Sequence, residues 1–218
     1  MKISVSFLKS KFSLQETIEK INQSTADFIH VDLMDGLFVA FKTENMNEIL
    51  ECLKKATKPL DVHLMMEKDA LQNTLQEVYK LNPYRLAIHS ELSNTLELID
   101  EIKTCGILCG LAVNPDTTIE EIKNYLKDID FVLIMSVYPG RGGQAFLDST
   151  ISKLQELKKI KEEQNLLFEI AIDGGINNET VSKVKPYCDT LISGSFICMN
   201  DDYNKQIAEL KKGPESNL

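Results

Sequence analysis

The chain has 218 residues, enough for one large core, of which 43% are hydrophobic, and it carries a formal net charge of −9. That acidity, with no basic stripe to neutralise a phosphate backbone, excludes nucleic acid as the expected partner. The five cysteines are odd in number and form no C-x-x-C pair, so neither a disulfide framework nor a thiolate zinc site is suggested, and no apolar run reaches membrane-spanning length.

From the N-terminus, Met1-Lys2-Ile3-Ser4-Val5-Ser6 runs straight into a predicted strand without the apolar segment of a signal peptide, so a cytoplasmic location is expected. Short β-branched or aliphatic runs then alternate with longer amphipathic segments, the pattern of repeated βα units. The runs predict strands over 2–6, 27–32, 59–63, 85–89, 108–113, 131–135, 169–173 and 190–193. Between them, helices are predicted over 14–23, 45–55, 69–81, 92–104, 119–126, 149–163, 179–184 and 202–211. Eight such pairs in this length describe an α/β protein with a single (β/α)8 TIM barrel over residues 1–211. Residues 212–218 are left as a frayed tail without a role.

In such a barrel, catalytic groups collect at the C-terminal ends of the strands. The second strand ends in Ile29-His30-Val31-Asp32-Leu33-Met34-Asp35-Gly36. Residues two apart on a strand share a face, so His30 and Asp32 converge while Val31 and Leu33 pack on the other side. His63 ends the third strand within Asp61-Val62-His63-Leu64-Met65, and Asp173 ends the seventh before Gly174-Gly175. Two imidazoles and two carboxylates at one rim form a donor set suited to zinc or a similar divalent ion, so His30, Asp32, His63 and Asp173 are expected to hold one metal ion per chain. Iron(II), manganese and cobalt also suit this set. Asp61, on the same strand face as His63, reads either as a partner orienting an imidazole or as a buried structural carboxylate. His89 ends the fourth strand, and a rim histidine satisfied by a neighbour is favoured over one lining a pocket.

Glycine-bearing turns follow the late strands: Gly140, Gly142 and Gly143 after the sixth, Gly174 and Gly175 after the seventh, Gly194 with Ser195 after the eighth. Glycines let backbone amides approach an anion without a cationic side chain, and barrels commonly hold phosphate near strands seven and eight. Arg141 reads either as an added charge for that phosphate or, the favoured reading, as a solvated loop residue.

Together, His30-Val31-Asp32-Leu33-Met34-Asp35-Gly36, Asp61-Val62-His63-Leu64-Met65, Met135 with Pro139-Gly140, Gly142-Gly143-Gln144, Asp173-Gly174-Gly175 and Gly194-Ser195 resemble the ribulose-phosphate 3-epimerase family in order and spacing. The resemblance implies a metal-dependent ketose-phosphate 3-epimerase that interconverts D-ribulose 5-phosphate and D-xylulose 5-phosphate, and a homo-oligomer. It implies contacts with substrate from Ser6 and His63, and an apolar wall of Met34, Met65 and Met135 that would otherwise read as core filler. The chemistry suits the residues: inverting a carbon beside a carbonyl needs a base on one face and an acid on the other, roles for Asp32 and Asp173, while a cation stabilises the enediolate charge.

Some positions depart from the family pattern. Leu37-Phe38-Val39-Ala40-Phe41 stands where the family reads His-Phe-Val-Pro-Asn, Arg141 replaces a Phe between glycines, and Ala171 replaces a Glu. These changes leave the four ligands intact but leave room for a hexulose phosphate such as D-allulose 6-phosphate, or for a sugar-phosphate-binding barrel without catalysis. Barrels that decarboxylate or carry out aldol chemistry typically show Asp-x-Lys-x-x-Asp on strand two, and here Leu33-Met34 separates Asp32 from Asp35 with no lysine.

Overall fold

Strands of a closed parallel barrel are covered on both faces and therefore need near-continuous Val, Ile and Leu runs. Eight such runs pair in sequence order around a closed barrel in the computed structural model, which describes residues 1–212. They are β1 (Lys2–Ser6), β2 (Phe28–Met34), β3 (Leu60–Met65), β4 (Arg85–His89), β5 (Leu108–Val113), β6 (Phe131–Met135), β7 (Glu169–Asp173) and β8 (Thr190–Ser193). The helices are α1 (Leu14–Gln23), α2 (Met46–Leu53), α3 (Lys68–Tyr79), α4 (Thr95–Thr104), α5 (Ile119–Ile122), α6 (Thr150–Glu163), α7 (Val181–Val184), α8 (Ser195–Cys198) and α9 (Tyr203–Lys212).

Several boundaries move from those expected, each for a local reason. β2 and β3 continue to Met34 and Met65 because these two residues pair in register. The Met34 N–H also donates to Thr43 Oγ1 at 2.8 Å. Residues 92–94 stay outside α4, where the Thr95 hydroxyl donates to the Leu92 carbonyl at 2.7 Å. α5 is one turn that passes into a 3-10 turn over Lys123–Tyr125. The expected frayed tail begins one residue too early, since Lys212 ends α9; its remainder, 213–218, lies outside the described residues.

Alternation along the strands divides the apolar residues into two populations. Ile3, Val5, Ile29, Val31, Leu33, Val62 and Leu64 face outward into the layer between sheet and helices. Each large aliphatic side chain buried there contributes about 1.5–3 kcal/mol. Facing inward, Ala87, Ala112, Leu133, Ala171 and Ile192 pack with Phe131 and Met135 inside the barrel. Gly110 makes room for this filling: a Cβ there would lie 2.4 Å from the Phe131 ring.

The N-terminal end of the barrel is closed by a charge. Arg85, only 1% exposed, lies between the rings of Phe28 and Phe131, 4.8 and 4.6 Å from their centroids. Its Nε and Nη2 donate to the two oxygens of Asp61, each at 2.8 Å. Glu169 pairs with Lys2 and lies 3.5 Å from Arg85 Nη1. With this floor closed, the open end is the C-terminal mouth.

Candidate active site

β2, β3 and β7 deliver His30, Asp32, His63 and Asp173 to one point at that mouth. One ligand-type atom from each lies within 4.8 Å of those of the other three. Asp32 Oδ1 is 3.3 Å from His30 Nε2 and 3.2 Å from His63 Nδ1, and Asp173 Oδ2 is 3.9 Å from His30 Nε2. Both imidazoles are fully buried, and only Asp173 keeps appreciable exposure. Thus Asp32 and Asp173 come from separate strands, and their ligand-type oxygens lie within 4.8 Å of each other.

The surrounding bonds orient this cluster. Asp61 Oδ2 accepts from Ser4 Oγ at 2.6 Å and lies 3.0 Å from His30 Nδ1, while Arg85 holds the same carboxylate from below. Both readings of Asp61 therefore hold, except that the imidazole it orients is His30 and not its strand neighbour His63. Ser6 Oγ donates to Asp32 Oδ2 at 2.9 Å. His63 Nε2 is 2.9 Å from His89 Nε2, and His89 Nδ1 is 3.0 Å from Glu91 Oε2, so His89 is satisfied by neighbours on both sides.

A test of metal fit follows from His30. Its Nδ1 is engaged by Asp61, yet its Nε2 is buried without a hydrogen-bond partner, despite its proximity to Asp32. A buried polar nitrogen left unpaired costs free energy, and a cation between it and the carboxylates removes that cost. The donor set and the orphaned atom fit a divalent ion.

Electrostatics separate the two acids. Burial favours the neutral form of Asp32, but His30 and His63 outweigh it and hold the carboxyl well below its usual range. Burial and then the Asp32 charge push Asp173 up to about 7. Burial opposes charge on His30 too, yet Asp32 and Asp61 together raise it well above 6.5. His89 is pushed down to about 4, chiefly by burial. Two carboxyl groups with divergent proton affinities are the pattern of an acid and base pair.

Above the cluster opens a cleft lined by Ser6, Asp32, Met65, Met135 and Asp173 and by all seven residues of the glycine-bearing turns, Gly140, Gly142, Gly143, Gly174, Gly175, Gly194 and Ser195. Met34 lies outside this lining, in a cluster with Val39 and Met65. Gly174 has φ +121°, and a Cβ there would lie 2.5 Å from Val137, so both conformation and space demand glycine. Gln144 donates to the carbonyls of Tyr138 and Arg141 at 2.6 and 2.9 Å, stapling the loop after β6. Arg141 is exposed yet lines the cavity. Lys9 was not expected: it lines the same cavity, and Gly143 lies so close that a Cβ there would stand 2.6 Å from the Lys9 Nζ. A lone lysine in the loop after β1 carries no pattern, and only closure of the barrel brings β1 beside the late strands.

The loop from Asp35 to Lys42, whose sequence departs most from the family pattern, is held by Asp35. Its Oδ1 accepts from the amides of Leu37 and Phe38 at 2.8 and 2.9 Å, and its Oδ2 accepts from Glu67 N at 2.7 Å.

Fold and site define a class: a (β/α)8-barrel enzyme with a buried two-histidine, two-aspartate centre beside glycine turns at the catalytic mouth. The model of the ribulose-phosphate 3 epimerase family matches residues 2–198. A ribulose-phosphate 3-epimerase of Helicobacter pylori (strain J99) is 35% identical over 97% of each chain. That of Bacillus subtilis (strain 168) is 35% identical over 97% of this chain and 98% of its own. Among solved structures, tryptophan synthase of Mycobacterium tuberculosis superposes with a TM-score of 0.70 at 14% identity, over 97% of this chain and 92% of that one, a likeness of fold alone. The chain belongs to the ribulose-phosphate 3-epimerase family, whose members named here are isomerases acting on carbohydrates.

Proposed function

We propose that the chain is a metal-dependent ketose-phosphate 3-epimerase that interconverts D-ribulose 5-phosphate and D-xylulose 5-phosphate by two-base proton transfer. The observation that carries this reading is the buried, unpartnered His30 Nε2 between Asp32 and Asp173. When bound by His30, Asp32, His63 and Asp173, a divalent ion supplies Lewis acidity to the carbonyl beside the inverting carbon; two nitrogens and two carboxylates suit zinc first.

Asp32, held ionised by the histidines, is the base that takes the C3 proton on one face. Asp173 returns one on the other face, and the roles exchange for the reverse reaction. Met65 and Met135 exclude water from the reacting carbons. Glycine-turn amides after β6, β7 and β8 hold the phosphate, and Lys9 and Arg141 add charge at the same cavity. The reading includes a cytoplasmic homo-oligomer.

Exchange of the C3 proton with deuterated water tests it, with ribulose 5-phosphate and allulose 6-phosphate offered separately to zinc-loaded protein. Exchange with the pentulose alone is expected, with at least a 100-fold loss in Asp173→Asn. Exchange with the hexulose alone would reassign the substrate, and none with either would overturn the epimerase reading.

A further inference from the structure

The two histidines of the candidate centre are oriented differently. His30 is bonded directly to a carboxylate, Asp61, whereas His63 is bonded to another imidazole, that of His89. We infer that His89 and Glu91 are positioning residues that fix the tautomer of His63, so that its Nδ1 presents a lone pair to the metal ion. The inference rests on the metal reading above and concerns residues outside the ligand set.

The argument is one of proton counting. His63 Nε2 and His89 Nε2 are 2.9 Å apart, so one proton lies between them: two lone pairs would repel and two N–H groups would collide. Which ring owns that proton is decided at the far side of His89. There Nδ1 is 3.0 Å from Glu91 Oε2, and an ionised carboxylate only accepts, so the His89 proton sits on Nδ1. His89 Nε2 is then the acceptor, and the shared proton belongs to His63 Nε2. Without an ion, His63 Nδ1 faces the Asp32 Oδ1 acceptor at 3.2 Å; where an ion takes the place of that contact, the one proton of neutral His63 stays on Nε2 and Nδ1 offers its lone pair.

Glu91 is itself held in the accepting state. Its Oε1 accepts from the Asn114 backbone N–H at 3.0 Å and from the Thr117 hydroxyl. The segment that supplies these donors is tied to α6, where Lys153 Nζ donates to the carbonyls of Asn114, Pro115 and Thr117. His63 and His89 are both fully buried, and the Phe38 ring packs on His89 with centroids 4.5 Å apart, so water does not replace the link. A direction of hydrogen bonding thus runs from the loop after β5 to the ion. Glu91→Gln reverses it: the amide can donate to His89 Nδ1, which puts a proton on His89 Nε2 and drives the His63 proton toward Nδ1, where it competes with the ion.

The test needs no turnover. The chain has three histidines, so ¹⁵N-histidine labelling of zinc-loaded protein resolves each ring in a long-range ¹H–¹⁵N spectrum. The expected spectrum shows His89 as the Nδ1–H tautomer and His63 as the Nε2–H tautomer. Zinc affinity by chelator competition is expected to fall 10–100-fold in Glu91→Gln, and Glu91→Asp to recover part of it. A wild-type spectrum with His89 protonated on Nε2 would overturn the inference without any variant. Equal zinc affinity in wild type and Glu91→Gln would overturn it too, while leaving the epimerase reading intact. A wild-type chain that binds no zinc would sink both.

Discussion

Asp61 carries two burdens, and its removal separates them. It accepts from Arg85 Nε and Nη2, while the buried Arg85 Nη1 lies 3.5 Å from Glu169 without a hydrogen bond, and it engages His30 Nδ1. Asp61→Asn removes the closer countercharge of a buried guanidinium and leaves only Glu169, a change that costs about 3–5 kcal/mol, read as a shifted denaturation midpoint. The same variant is expected to weaken zinc binding about 10–100-fold, because a ligand histidine loses the carboxylate that orients it. Protons compete with the ion at the same residues. His30 holds a proton above its ordinary range and Asp173 titrates near 7, and both must release it to ligate. Affinity should therefore rise with pH through about 7, and zinc binding at pH 6 should release protons. Calorimetry in two buffers of different ionisation enthalpy would reveal this, and a pH-independent affinity would contradict it.

At the scale of elements, the contact between β5 and β6 has no spare volume. Gly110→Ala drives a methyl group into the Phe131 ring inside the barrel, so a loss of about 1–3 kcal/mol is expected in urea unfolding. The strands were legible because burial on both faces makes them continuous apolar runs, and the four residues of the candidate centre were legible because they end those runs. Residues that act across elements were not. Arg85 opens a strand and reads as an ordinary exposed terminus, but the rings of Phe28 and Phe131, distant in sequence, enclose it. Asp61 was placed near an imidazole, but the register of β2 against β3 sets His30 beside it. α8 spans four residues, too few to show a helical period. Met34 looked like its fellow methionines, and only the fold sets it against Val39 and Met65, in a neighbouring cleft that Asp32 also lines.

For the molecule as a whole, the cysteines are natural reporters of opening. Burial pushes the thiols of Cys109 and Cys188 up to about 12 and that of Cys198 up to about 11, which removes the reactive thiolate. Cys105 is exposed and Cys52 half-buried. Iodoacetamide should modify Cys105 first, then Cys52, with the other three reacting only as the barrel unfolds, and peptide mass spectrometry would follow the order. Zinc should slow the last three, since an ion bound only by the folded chain stabilises it by mass action. Early labelling of Cys198 would show that the barrel opens locally near α8.

The chain of contacts from Lys2 and Glu169 through Arg85 and Asp61 to His30 crosses the barrel from floor to mouth. It makes the floor a tuning dial for the centre. Arg85 draws electron density from Asp61, so Asp61 in turn lends less to His30, which in the proposed metal centre would be a weaker donor than one facing a free carboxylate. If the proposed centre holds an ion, a designer who wishes to change how strongly it is gripped has a handle at the barrel floor, on the face opposite the candidate mouth.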